Sequence, residues 1–166
     1  MTEQTLTGKQ QKVTLQFLEE TFESRHHGIY IDKGTSLLET LEPVTAEEAS
    51  LRASDRTASI AAHARHVVFY TDVLLRTIRG EEVGTLNWRE IWENDRPVTP
   101  DQWSRQIAEL RRVYADVRAV LSDPATWERE DAPGEFMAIA VHTAYHLGAI
   151  RQALAVIQSR RGAGTR

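Results

Sequence analysis

The stretch VHTAYHLGAIRQ, Val141 to Gln152, decides how the rest of the chain is read. It has the apolar spacing of a core helix, yet two histidines four residues apart, His142 and His146, fall among the apolar positions. At about 100° per residue, with His142 at zero, His146 lies about 40° away. Ala138, Ile139, Ala149, Ala153, Val156 and Ile157 fall within roughly 60° of zero, while Arg151 points the other way. This places both imidazoles in the middle of the apolar face. Side chains at i and i+4 stack on one side of a helix, so the two rings can converge on one point. Ala138 and Ala149 leave space there, where a purely structural core would favour Leu.

An earlier segment, Ala58 to Arg79, repeats the theme. With His66 at zero, Ala62, His63, Phe69, Tyr70, Val73 and Thr77 lie within about 60° of it, and Arg65 and Asp72 lie outside that arc. Two histidines from one helix and one from another make an open three-His site. That pattern leaves coordination positions for water or substrate, as catalytic metal sites do. A single histidine on an apolar face is ordinarily a core residue bonded to a backbone or hydroxyl partner. Four inward histidines would each need such a partner, and burying them together without an ion accumulates desolvation cost.

The remaining pattern is also helical, with no alternating strand competing. A first helix is expected from about Lys9 to Ser24, with Val13 and Phe17 inward and Leu18 and Phe22 as further candidates for that face, ending near Gly28. Thr45 and Glu48 form a capping-box pattern, and so do Thr99 and Gln102, with Pro100 in the first turn. The third long helix closes at Pro124, and the fourth should run from about Glu135 to Gln158. Between Gly80 and Pro100 lies a long connection holding Trp88 and Trp92, with room for one helical turn. These elements predict an all-α protein: an antiparallel four-helix bundle with long loops and one short extra helix. The 166 residues are expected to form a single domain, 1–166, with 160–166 as a flexible tail.

Composition narrows the chemistry. The chain has no cysteine, so a disulfide framework, a thiolate zinc site and a cysteine nucleophile are excluded. A net charge of −4 with dispersed basic residues gives nucleic-acid binding no electrostatic support. No run approaches membrane-spanning length and the N-terminus lacks an apolar signal region, which makes a soluble cytoplasmic protein the expectation. Paired glutamates such as Glu47-Glu48 read as solvated helix starts. A di-iron bundle would require a repeated Glu-x-x-His motif, and one local copy, Glu23 to His26, is found. His26 and His27 belong to a loop beside Gly28.

VHTAYHLGAIRQ resembles the last-helix motif of the DinB/YfiT-like superfamily of metal-dependent enzymes. The segment from Phe22 to Glu82, with its SLLETLE helix and TAEEAS turn, is similar to the first half of such proteins. The resemblance implies a four-helix bundle, often a homodimer, holding a divalent metal, commonly nickel or zinc, with iron or manganese as alternatives. The ligands it implies are His66, seven residues after Ser59, together with His142 and His146. It leaves His63 as a further ligand, a neighbour of the site or a base, and makes His63 and Tyr70 the candidates for proton movement or substrate orientation. Ala149 departs from the Gln frequent at that place in the family. Understood members transfer low-molecular-weight thiols, and relatives include hydrolases and isomerases of small electrophiles. A metal-dependent thiol transferase or hydrolase acting on a small molecule is therefore the leading expectation, with the thiol arriving as cosubstrate. The rival is a non-catalytic bundle with structural histidines that binds a ligand or partner. Its interface would be built from the Trp88/Trp92 loop and from Leu147 and Leu154, which the helical wheel places off the core face.

Overall fold

The computed structural model describes residues 3–163 and the side chains of residues 8–162. Four long helices carry the fold: α1 (Glu3–Phe22), α4 (Ile60–Ile78), α6 (Pro100–Ser122) and α7 (Ala132–Ala163). Three short ones, α2 (Leu37–Leu41), α3 (Ala46–Ser50) and α5 (Glu90–Glu93), sit in the connections, and a 3-10 turn, Pro124–Glu128, precedes α7. Among the described residues there is no strand, only an isolated bridge between Arg52 and Ser59. α4 packs on α7 and α6, and α1 closes the ring against the same two helices. His63 meets His146 and His66 meets His142, so α4 and α7 run antiparallel.

The caps expected at Thr45 and Thr99 form, and Ser36 adds a third. Ser36, Thr45 and Thr99 each accept the backbone N–H three residues on, and Glu39, Glu48 and Gln102 reach back to the cap. Trp103, one turn into α6, buries its ring and donates its indole N–H to the Val44 carbonyl at 2.7 Å. The Thr99 cap therefore orients the helix that α4 leans on. Thr99→Ala should cost about 1 kcal/mol, the usual worth of such a cap, seen as a lowered Tm in a thermal melt.

Several boundaries and faces differ from expectation. α1 begins at Glu3 and ends at Phe22, Val13 is 48 % exposed and Phe17 is only half-buried. The buried side of α1 is carried by Leu18 and Phe22, the two further candidates for that face. α7 is longer than expected at both ends. Its last turn is tied down by Arg161, which reaches Glu47 at 2.8 Å, so 160–163 are helical, and 164–166 lie outside the described residues. Leu147 is buried, Leu154 packs half-buried against the core, and Val156 is exposed. The reason is rotational. α7 packs against α1 as well as α4, and its buried residues (Ala132, Phe136, Ile139, Ala140, Thr143, His146, Leu147, Ile150, Ala153 and Ile157) centre about 90° from His142. The histidines occupy the edge of the buried arc, beside α4, rather than its middle.

Candidate metal centre

The site begins at the start of α4. Ser59 caps the helix by accepting from the Ala62 N–H, while its own N–H and hydroxyl donate to the Asp95 carboxylate. One and two turns further on, α4 presents His63 and His66 toward α7. His66 and His146 are buried, whereas His63 and His142 are half-buried.

The three histidines singled out together, His66, His142 and His146, each place a ring nitrogen within 4.8 Å of the others. His66 Nε2 and His142 Nε2 are 3.2 Å apart. For nitrogen ligands about 2.0–2.1 Å from a tetrahedral ion, neighbouring donors sit about 3.3 Å apart, so this pair is already spaced for coordination. His63 lies outside the three-membered group and pairs with it, Nδ1 to Nδ1 of His146 at 2.9 Å. Each such contact between neutral rings holds one proton, and a cation entering between His66 and His142 would displace the one they share.

Burial keeps these rings neutral. Desolvation, reinforced by His142, His63 and His66, pushes the His146 pKa down to about 3. Desolvation and the neighbouring His66 push His142 down to about 4. His66 is lowered by desolvation and by His63. His63 is lowered by desolvation, against a weaker opposing pull from the Asp95 carboxylate. A neutral imidazole offers a lone pair, the form a metal requires. Nδ1 of His66 and Nδ1 of His142 are buried with no hydrogen-bond partner in the protein, a cost of about 1–3 kcal/mol for each such group. A set of closely spaced, neutral, incompletely satisfied nitrogens fits a divalent cation better than it fits a dry core.

Two aromatic side chains cover the cluster. Tyr70 stacks on His142 with ring centroids 3.6 Å apart and planes 13° apart. Burial, and secondarily Glu135, raise its pKa, so it is a phenol that can donate a hydrogen bond rather than a base. Trp92 lies 4.6 Å from the His66 ring, 5.5 Å from His63 and 6.0 Å from His146. The sequence left Trp92 in a connection, and its helical spacing from Trp88 was the one available signal. Trp88 instead packs on Phe69 and Tyr70. Asp95, which ties the Trp92 segment to α4, gave no signal at all.

His26 and His27 stand apart. His26 Nε2 meets the Ile31 carbonyl at 2.9 Å, and His27 Nε2 meets Glu19 at 2.8 Å. Both hold the loop after α1, away from the four clustered rings.

Among the described residues, no helix is long and apolar enough to cross a membrane. No curated protein and no solved structure matches the chain at a significant level. A family model, that of the DinB superfamily, matches residues 32–150, from the loop after α1 through α4 and α6 into the histidine-bearing turns of α7. The match covers most of the 166 residues, and the chain belongs to the DinB superfamily.

Proposed function

We propose that this protein is a metal-dependent enzyme acting on a small molecule, with His66, His142 and His146 as the metal ligands. One observation carries the reading: three neutral ring nitrogens from two antiparallel helices lie within 4.8 Å of one another. A divalent metal bound there, nickel or zinc first and iron or manganese next, would act as a Lewis acid that lowers the pKa of a bound water or thiol. The chain's own residues supply the rest. His63 orients the His146 ring through their shared proton and can exchange that proton with a reacting group. Tyr70 fixes the His142 ring by stacking and offers its phenol as a donor. Thiol transfer or hydrolysis are the reactions this arrangement suits, and a thiol must arrive as cosubstrate because the chain has no cysteine.

The same reading takes the protein as a homodimer. Met137, Val141 and Tyr145, 47 %, 60 % and 73 % exposed at four-residue spacing on α7, form the kind of apolar stripe a second copy would cover.

The test is elemental analysis of untagged protein together with thermal melts before and after chelation. About one divalent ion per chain and a Tm that falls on chelation are expected for a site of this type. A second reading, a bundle with structural histidines, draws on the two His–His hydrogen bonds. It expects metal-free protein whose melt ignores both chelator and added ions.

A further inference from the structure

The Trp92 indole contacts three of the four clustered histidines, and nothing in its own short helix explains why it stays there. α5 has four residues, and its cap, Arg89, makes no side-chain hydrogen bond. Its position is imposed from outside. Ile91 is buried against the body of the protein. Asp95, with a side chain 3 % exposed, accepts from the Ser59 N–H at 3.0 Å and from the Ser59 hydroxyl, and forms an ion pair with Arg52 at 3.0 Å. This clamp fastens the end of the Trp92 segment to the cap of α4, one turn before His63. Tyr70 covers His142 in the same way from within α4.

We propose that Trp92 determines which ligands reach the open coordination positions of the His66–His142–His146 site. It is a clamped apolar wall that admits donor atoms carried on narrow, unbranched ends and turns away donors carried on rings or branched carbons. The inference rests on the metal-site reading above. It narrows the substrate class to molecules with a slender terminal donor, a primary thiolate being one. Indole is rigid and flat, offers no acceptor, and has few torsions with which to move aside, so it excludes by shape. Asp95 acts through Trp92 and is a positioning residue.

The test uses the full chain loaded with Co(II), whose visible absorption bands report coordination directly, titrated with azide as a narrow donor and imidazole as a ring donor. In the parent protein azide should shift the bands at lower concentration than imidazole. In Trp92→Ala imidazole should bind roughly tenfold more tightly, the scale at which a pocket rejects an oversized group, with azide nearly unchanged. Trp92→Phe should stay closer to the parent. Asp95→Asn, which keeps the indole but loosens the clamp that holds it, should move imidazole in the direction of Trp92→Ala and provides the reading if Trp92→Ala fails to fold. Co(II) should also quench tryptophan fluorescence in the parent, and Trp92→Phe should remove more of that quenching than Trp88→Phe. Clear Co(II) bands with equal imidazole affinity in the parent, Trp92→Ala and Asp95→Asn would overturn the wall and leave the metal site standing. A parent chain that gives no Co(II) bands would overturn both.

Discussion

On the proposed reading, replacing His146 with alanine should abolish the binding of a divalent metal. His146 is the hub of the cluster: its ring touches those of His63, His66, His142 and Trp92 and lies 4 % exposed. Changes to groups that merely orient ligands weaken metal binding by 10–100-fold, so loss of a ligand should exceed about 100-fold, read by titration with a competing chelator. The substitution also separates the two readings of the histidines. If they serve a metal, chelated parent and chelated His146→Ala should melt within a few degrees of each other, because the stabilising ligand is absent from both. If they are structural, His146→Ala leaves His63 without its ring partner in a half-buried position, and the metal-free melt should drop markedly while added ions change nothing.

The second large effect belongs to Glu20, far from the histidines in sequence. Its carboxylate is 1 % exposed and accepts the backbone N–H groups of His27, Ile29, Tyr30 and Ile31 at 2.7–3.0 Å. Burial opposes its ionisation, the four donors outweigh burial, and the pKa falls from 4.5 to about 2. A carboxylate lowered on folding adds stability above its unfolded pKa, and that stability is lost as pH falls through the window from 4.5 toward about 2. The full shift corresponds to about 3 kcal/mol, and solvent around the exposed donor loop reduces the expectation to about 2 kcal/mol. Glu20→Gln should therefore lower the unfolding free energy from urea melts at neutral pH by that amount, and the gap to the parent should shrink as pH falls to about 3. A gap that does not change with pH would mean that the charge contributes nothing.

The helices were legible because their signals are local. Capping boxes at Thr45 and Thr99 and the periodicity of α4 and α7 lie within a few residues of the features they specify. The four clustered histidines were legible for the same reason, as spacings within two helices. What the wheel misjudged was orientation. Thr143 is fully buried and Ala140 nearly so, but small or weakly polar residues hardly weight a hydrophobic pattern. The centre of the apolar face was therefore placed on the histidines, and Leu147 was assigned to the outside. The pairing of α7 with two neighbours, which sets its true buried arc, is a tertiary fact. Asp95 and Ser59 meet across 36 positions that include all of α4 and the connection after it, and the Glu20 anchor is formed by backbone N–H groups, which carry no side-chain signature.

The cluster's two histidine contacts join residues 83 and 76 positions apart. Before folding, the four histidines of the cluster can offer an ion only as neighbouring pairs, His63 with His66 or His142 with His146. Closing such long loops is among the slower steps of assembly, and here it requires the last helix to dock against one formed much earlier in synthesis. The complete donor set therefore exists only after the C-terminal third of the chain has been made and has docked. On the proposed reading an ion would be captured by the finished fold rather than nucleate it, and metal loading would mark molecules whose folding is finished.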